Sequence, residues 1–336
     1  MRSAAEHTRT TILVDVTHGL DAGHEALEGA ALASLNLDTP LCVVGDEPRI
    51  TRALQEIPHD AELLRVIHAE DAEHGGGLRT TLEHAAALPC STVVTAAARY
   101  RVLQDARDIL PLLPGVTRPA LAAVYPTVRL RGERDDPFAL LLDVGAQLDS
   151  TAPVLLEHAI LGAVYARLIS ENETPRVALL ANTSQEDAIP PRLAEAAALL
   201  AEAAGERFTF AGLTDGSRIL LGDADVVVSD GYSGELLIRT IEGFAATAEQ
   251  LLARAGKRFR WRMGVSMLGG GIEALRELTD WQNYGGAPLL GLARPVITLQ
   301  SGARRRAFVN AARLAAKIDR LDVQRALDDA TRDTPR

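Results

Sequence analysis

The sequence has few of the residues that characterise secreted, membrane-spanning or nucleic-acid-binding proteins. Its 336 residues include two cysteines, Cys42 and Cys90, each within or beside an apolar run, so we expect small buried thiols rather than disulfides or a metal site. No apolar run approaches the ~18 residues that a membrane-spanning helix needs. The net charge of −10 argues against nucleic acid as a partner.

What is present is typical of a globular protein. Apolar residues make up 47% of the chain and charged residues 24%, which allows a substantial core made mainly of alanine, leucine and valine. Residues 1–11 are polar and only three apolar residues separate them from Asp15, a pattern unlike a signal peptide. We therefore expect a cytoplasmic protein with a flexible N-terminus (1–10), a single α/β domain (11–320) and a C-terminal tail (321–336).

Short apolar runs alternate with segments of helical periodicity along most of the chain. This alternation predicts an α/β fold with three layers, αβα, and a mostly parallel sheet. The apolar segments 120–125 and 140–143 have a polar turn between them, so we expect them to pair as an antiparallel hairpin. The other predicted strands are 11–14, 41–44, 63–67, 92–95, 177–180, 208–211, 225–229 and 296–299.

Four of the predicted strands end in polar loops, which are 15–21, 143–149, 182–186 and 230–235. The carboxyl ends of parallel strands lie on one edge of a sheet, where α/β proteins bind ligands. We therefore expect these loops to converge on one cleft. Because polar loops follow strands in every α/β protein, the loops by themselves do not specify a function.

The segment 140–166 combines a predicted strand, a polar loop and a helix. A buried carboxylate is unfavourable, so Asp143 should lie at the rim of the sheet, within reach of water or a ligand. Ser150 or Thr151 is expected to cap the helix. The alternative is that Asp143 and Asp149 only cap and brace the turn.

A basic, amphipathic segment interrupts the pattern within an insert at 250–280. Four cations fall within six residues and alternate with aromatic side chains. Such a segment suits an acidic protein partner or the headgroup region of an anionic membrane. The alternative is a solvated helix that packs on its own domain. The segment consists of Lys257, Arg258, Phe259, Arg260, Trp261 and Arg262.

Several motifs resemble those of one bacterial enzyme family. Residues 284–292 read YGGAPLLGL, which resembles a signature of phosphate acyltransferases of the PlsX type. Residues 143–149 resemble that family's D-x-G-A-N-x-D, and residues 224–234 resemble its A-D-V-V-V-x-D-G-F-x-G-N. Residues 113–122 are similar to its L-P-G-I-x-R-P-A-L-A. The matches run in order from about Thr11 to about Ile318, so the resemblance covers nearly the whole chain.

The resemblance implies a fold like that of phosphotransacetylase and isocitrate dehydrogenase, a homodimer, and peripheral contact with the inner face of the membrane. It implies transfer of a fatty acyl group from acyl carrier protein to inorganic phosphate, without a metal or organic cofactor. Acyl carrier protein is strongly acidic, which would make it a natural partner for the basic segment. The residues expected to bind substrate are Asp15, Gly19, Arg99, Gln147, Asp149, Asn182, Glu186, Asp230, Gly285 and Gly286.

The departures from the family pattern fall in the loops that handle phosphate. The family's glycine-rich loop, an anion-binding nest, corresponds to residues 95–101, which contain no glycine. A lysine thought to be catalytic in the family is replaced by Ile189. An asparagine thought to be catalytic is replaced by Glu235, whose carboxylate would repel phosphate. The candidates for catalysis in this chain are His18, Asp143 and Glu235.

These departures predict weak or absent phosphate transfer and leave three functions open. The first is an acyltransferase that uses acyl carrier protein and either phosphate or another small acceptor. The second is a catalytically degenerate relative that binds acyl carrier protein, an acyl chain or a partner. The third is a thioester hydrolase in which His18 or Glu235 activates water.

Overall fold

A computed structural model of the protein describes residues 10–72, 76–131, 136–183, 185, 188–255, 270 and 280–332. The chain divides into two compact units, Met1–Pro119 with Tyr284–Arg336 as unit 1 and Ala120–Asn283 as unit 2. The single domain over 11–320 stays a prediction. The basic segment 257–262 and Glu186 lie outside the described residues.

Strands and helices alternate along the described residues. The strands are β1 (Thr11–Asp15), β2 (Leu41–Gly45), β3 (Leu64–His68), β4 (Ser91–Thr95), β5 (Ala120–Arg131), β6 (Asp136–Leu142), β7 (Arg176–Leu180), β8 (Thr209–Thr214), β9 (Val226–Val228), β10 (Ala287–Leu290) and β11 (Val296–Thr298). The helices are α1 (His24–Ser34), α2 (Glu47–Leu54), α3 (Gly76–Ala87), α4 (Arg99–Ile109), α5 (Ala152–Ile169), α6 (Pro191–Ala203), α7 (Gly231–Ala255), α8 (Arg305–Arg320) and α9 (Val323–Arg332).

The sheet of unit 1 has the strand order β3-β2-β1-β4-β11-β10. Its pairs are parallel, except that β10 and β11 are antiparallel. Helices α1, α3 and α8 pack against β1. β4 is buried at every residue, as expected for a strand inside a parallel sheet.

The sheet of unit 2 has the strand order β5-β6-β9-β7-β8. β5 and β6 form the predicted antiparallel hairpin, with Ala123 opposite Leu141, and the other pairs are parallel. Helix α5 packs against β6, β7 and β9, which explains why its sequence is apolar on all sides. Among the described helices, α5 has the length and composition of a membrane span, yet 78% of it is buried within the protein. The predicted α/β class with a mostly parallel sheet is confirmed.

Some local expectations are wrong. The cysteines are less buried than expected, since Cys42 is half-buried and Cys90, in the bend before β4, is exposed. The N-cap of α5 is Thr151, but its side chain makes no capping hydrogen bond. Within the predicted C-terminal tail, residues 323–332 form α9, in which Val323 and Leu327 are buried.

Candidate active site

A buried carboxylate lies at the carboxyl end of β1 in unit 1. Asp15 is fully buried, and its Oδ1 accepts hydrogen bonds from Thr17 N at 3.0 Å and Thr17 Oγ1 at 2.6 Å. Its Oδ2 accepts a hydrogen bond from Thr95 Oγ1 at 2.7 Å and lies 2.8 Å from His18 Nδ1. Groups from the ends of two neighbouring strands therefore hold one carboxylate.

Asp15 and His18 form a carboxylate–imidazole dyad. Burial raises the pKa of Asp15, but hydrogen bonds and charge from His18, together with bonds from Thr17 and Thr95, outweigh burial and hold that pKa below its usual value. The hydrogen bond to Asp15 raises the pKa of His18, against the opposing effects of burial and of the Arg101 charge. Within the described residues, Nε2 of His18 has no partner, and the side chain is 20% exposed. A proton can therefore be exchanged at Nε2.

The loop after β4 carries positive side chains where the family pattern carries glycines. The N–H of Ala97 donates to Thr95 Oγ1 at 3.0 Å, so this amide is engaged within the loop. Helix α4 then begins at Arg99 with no side-chain cap and no acidic residue in its first turn. Arg99 is half-buried and Arg101 is exposed. Anion binding at this loop would therefore depend on arginine charge more than on a nest of amides.

A cavity of about 320 Å³ lies beside the loop that follows β1 in unit 1. Its lining combines apolar side chains of α1 and α2 with a few polar ones of both charge signs, which suits a ligand that has both an apolar and a polar part. The lining residues are Val16, Thr17, Gly23, His24, Leu27, Asp46, Arg49, Ile50, Ala53 and Ala72.

Asp143, a predicted catalytic candidate, is enclosed by main chain at the end of β6 in unit 2. It is fully buried, so the expectation that it lies at the rim is wrong. Its carboxylate accepts hydrogen bonds from Leu121 N at 3.0 Å, Ala146 N at 2.9 Å and Gln147 N at 2.6 Å. Burial outweighs these bonds and raises the pKa of Asp143 to about 6. Because the bonds tie β5 to the loop after β6, they favour the bracing alternative.

The start of α7 packs closely on the same loop. A Cβ on Gly234 would lie 1.9 Å from Asp143 O, and a Cβ on Gly231 would lie 2.2 Å from Gln147 O. Neither distance leaves room for a side chain. The two glycines of the segment 230–234 are therefore required by packing, whether or not the segment also binds substrate.

Arg192, in the first turn of α6, joins two of the predicted loops within unit 2. Its Nη1 forms an ion pair with Asp149 Oδ1 and donates to Ser150 O at 2.8 Å. Its Nη2 donates to Asp230 Oδ2 at 2.8 Å. The loops after β6 and β9 and the start of α6 therefore meet at one guanidinium group. Arg192 is not among the residues predicted from the sequence, although a cation three residues after Ile189, where the family has its lysine, was a usable signal.

The remaining predicted residues are less directly connected to these groups. Asn182 is exposed after β7, and Gln147 is buried. Glu235 lies near the start of α7, with its Oε1 3.7 Å from Arg239 Nε. Gly19 lies in the loop after β1. The substrate-binding and catalytic roles of these residues stay predictions.

Gly285 and Gly286 form the chain reversal before β10. Their φ angles are 78° and 91°, values that residues with a side chain rarely adopt. A Cβ on Gly285 would lie 2.9 Å from Asn310 O, and a Cβ on Gly286 would lie 2.7 Å from Thr298 O. The paired glycines therefore let this turn approach α8 and β11, which gives the motif a structural reason; substrate binding by it stays a prediction.

Solved structures with the same fold include two phosphotransacetylases. EutD phosphotransacetylase from Staphylococcus aureus has a TM-score of 0.59 and 17% identity, over 93% of this chain and 95% of that one. A phosphotransacetylase from Streptococcus pyogenes has a TM-score of 0.61 and 15% identity, over 92% and 94%. The fold is therefore that of the phosphotransacetylase class of α/β proteins.

Sequence comparison identifies the family. A profile of the family described as "Fatty acid synthesis protein" matches residues 78–326. The protein named Phosphate acyltransferase from Erythrobacter litoralis is 33% identical over 87% of this chain and 85% of its own length. Its namesake from Oceanobacillus iheyensis is 30% identical over 93% and 94%. The chain belongs to this fatty acid synthesis family of PlsX type.

Proposed function

We propose that this protein transfers a fatty acyl group from acyl carrier protein to inorganic phosphate or another small acceptor. The observation that carries the proposal is similarity along nearly the full length to proteins named Phosphate acyltransferase, at 33% identity in one case. The family's description as fatty acid synthesis proteins supports a fatty acyl substrate carried by acyl carrier protein.

The reaction needs an anion site and a proton donor. An oxygen of phosphate attacks the carbonyl carbon of the thioester, a C–O bond forms, the C–S bond breaks, and the departing thiolate takes a proton. His18, held by Asp15 and open at Nε2, is suited to deliver that proton when its imidazole is charged. Positive charge suited to the phosphate dianion is supplied by Arg99 and Arg101 after β4 and by Arg192 at the start of α6.

A thioester hydrolase is the second candidate, and the Asp15–His18 dyad favours it. A neutral imidazole oriented by a carboxylate is a common base for activating water. The loop 95–101 has its Ala97 amide engaged by Thr95, which supports the prediction of weak phosphate transfer. The two functions differ in whether release of the carrier depends on phosphate.

We further propose a homodimer that works at the inner face of the membrane. Helix α7 carries four large apolar side chains that are each more than half exposed, and such a surface commonly lies at an interface. They are Tyr232, Leu236, Phe244 and Leu251. The basic segment 257–262 follows α7 in sequence, and its charge suits acyl carrier protein or anionic lipid.

The test uses purified protein and acyl carrier protein bearing a palmitoyl chain, with and without phosphate. We expect phosphate-dependent release of free carrier and formation of acyl phosphate, more slowly than with the Erythrobacter litoralis relative run in parallel. Phosphate-independent release of fatty acid would identify a hydrolase. No release with either acceptor would reject both activities.

The partner is tested separately by co-elution with acyl carrier protein. Charge reversal at Arg258 and Arg260 should abolish co-elution, because an acidic partner needs that positive charge. Charge reversal at Arg254, at the end of α7, is the matched control. Co-elution that does not respond to Arg258 and Arg260 would remove acyl carrier protein from the assignment.

A further inference from the structure

The guanidinium of Arg192 is held between two carboxylates that differ in burial. Asp230 is 13% exposed, and its Oδ1 also accepts a hydrogen bond from Ser233 N at 2.8 Å, in α7. Asp149 is 87% exposed, and within the described residues its carboxylate accepts, besides the bond from Arg192, one hydrogen bond from its neighbour Ser150 N, at 3.0 Å. Asp230 is therefore a fixed partner, whereas Asp149 can leave by rotation of an exposed side chain.

Ser150, whose main-chain oxygen contacts Arg192, has a side-chain hydroxyl without a partner within the described residues. Ser150 is buried, with 2% of its surface exposed. Its hydroxyl has no hydrogen-bond partner in the described part of the chain. Its main-chain oxygen is bound to the same Nη1. A buried hydroxyl normally finds a partner, so the residue that contacts Nη1 through its main-chain oxygen also carries an unsatisfied side-chain group.

Arginine is the cation that this site has to use. The chain contains two lysines, Lys257 and Lys317, and neither belongs to the loops after β6, β7 or β9. Arginine presents two parallel N–H groups that match the oxygens of a carboxylate or a phosphate. The carboxylate of Asp149 therefore occupies Nη1 in the way that an oxygen of a bound phosphate would.

We propose that Arg192 is the cation that binds the acceptor phosphate, and that Asp149 is a built-in stand-in for one phosphate oxygen which the acceptor must displace. This inference rests on the proposed function for the identity of the anion. Displacement is easy on the Asp149 side, since ion pairs with a solvent-exposed carboxylate contribute little. Asp230 stays in place and keeps the guanidinium oriented.

The proposal predicts that removing one side chain of the site increases the affinity for phosphate. Removing the negative charge by Asp149→Asn should tighten the binding of inorganic phosphate by about two- to five-fold, since the competitor is weakened and a repulsive charge is lost. Arg192→Gln should weaken binding by at least about tenfold, because a charge-assisted bond is lost. The phosphate affinity of Arg192→Lys should lie between those of the wild-type protein and Arg192→Gln, since lysine keeps the charge but lacks the two parallel N–H groups of arginine.

The experiment titrates the full-length protein and each variant with inorganic phosphate by isothermal calorimetry. The matched control is Asp223→Asn, because Asp223 is an exposed carboxylate of the same unit paired with an exposed arginine, Arg218. Phosphate affinity should not change in that variant. Circular dichroism verifies that Arg192→Gln is folded, and Asp149→Asn gives an independent result because its side chain is exposed.

The outcomes separate this inference from the proposed function. Tighter phosphate binding by Asp149→Asn than by Asp223→Asn supports the inference even if no acyl transfer is detected. Unchanged or weaker binding overturns it even if the wild-type protein transfers acyl groups. In a transfer assay, the KM for phosphate should fall in Asp149→Asn, whereas a purely structural role of Asp149 would alter stability and leave that KM unchanged. Absence of phosphate binding in every variant also rejects the proposal.

Discussion

The charge state of His18 is set by what surrounds it within unit 1. Its Nδ1 contacts the buried carboxylate of Asp15 at 2.8 Å, and Arg101 of α4 acts on it in the opposite direction. Asp15 is in turn fixed by Thr17 and Thr95, so the imidazole cannot easily change its orientation. The structure therefore turns a single histidine in a loop into an oriented proton-exchanging group.

Replacing Asp15 by asparagine should lower the pKa of His18. The bond to the carboxylate is the largest cause that raises this pKa, so its loss leaves burial and Arg101, which both lower it. NMR titration of the imidazole measures the shift directly, with the resonances of His84 as an internal reference on α3. If transfer uses charged His18, the pH above which activity declines should also move down. An unchanged His18 titration would contradict the dyad.

The raised pKa of Asp143 predicts a dependence of stability on pH. Its pKa of about 6 in the folded protein lies above the ordinary value of 3.8, so the folded state binds the proton more tightly than the unfolded state. The contribution of Asp143 is therefore greatest below about pH 4 and declines by about 3 kcal/mol as pH rises to about 6.

Asp143→Asn isolates this effect, because asparagine does not titrate. It should be less stable than the wild-type protein by about 1–3 kcal/mol at pH 7, since its amide nitrogen faces N–H donors. The difference in unfolding free energy between the two proteins should widen as pH falls from 6 to 4, measured by urea denaturation. A constant difference across that range would be inconsistent with the raised pKa.

At the residue scale, the sequence identified which loops matter but not how their side chains pair. Strand ends and family resemblance predict that the motif at 143–149 and the aspartate at 230 belong to the site. Their shared partner, Arg192, is 43 residues from Asp149 and 38 from Asp230. Pairing over such separations depends on the folded chain, and no local periodicity encodes it.

At the scale of elements, the prediction was most reliable where short apolar runs ended in polar residues. This pattern predicts β1, β2, β4, β7 and the β5–β6 hairpin, since buried strands need apolar side chains on both faces. β10 is not predicted from the sequence, because the segment 284–292 carries glycines and Pro288, which are uncommon inside strands. In the structure it is a four-residue strand that pairs antiparallel with β11, to which it is joined by residues 291–295.

Two glycines of α7 should respond in opposite ways to alanine. Gly234→Ala would place a Cβ 1.9 Å from a main-chain oxygen, whereas nothing lies within 4 Å of a Cβ on Gly243. We expect Gly234→Ala to lower the unfolding free energy by about 3 kcal/mol or more, as for overpacking against rigid backbone. Gly243→Ala should raise it by about 0.5–1 kcal/mol through helix propensity. Chemical denaturation of both variants provides the comparison, and equal effects would contradict the close packing of α7.

At the scale of the whole molecule, each unit carries one group suited to half of the proposed chemistry. Unit 1 holds the Asp15–His18 dyad, which suits proton transfer, and unit 2 holds Arg192, which suits anion binding. Acyl transfer from a thioester to phosphate needs both functions. Each group is tested within its own unit: His18→Asn and Arg192→Gln should each lower phosphate-dependent transfer, and a variant with unchanged transfer would remove its group from the reaction.

The apolar surface of α7 predicts how copies of the chain associate. Tyr232, Leu236, Phe244 and Leu251 are 58–74% exposed, and at about 100° per residue they fall within a sector of about 120°. A 25-residue helix is about 37 Å long, which is enough for one apolar face to pair with the same face of a second copy. Phe244→Asp should therefore give a monomer under conditions where the wild-type protein sediments as a dimer. Val128→Asp is the control, since Val128 is 79% exposed on β5 of the same unit. A wild-type monomer, or a Phe244→Asp variant that stays dimeric, would remove α7 as the interface.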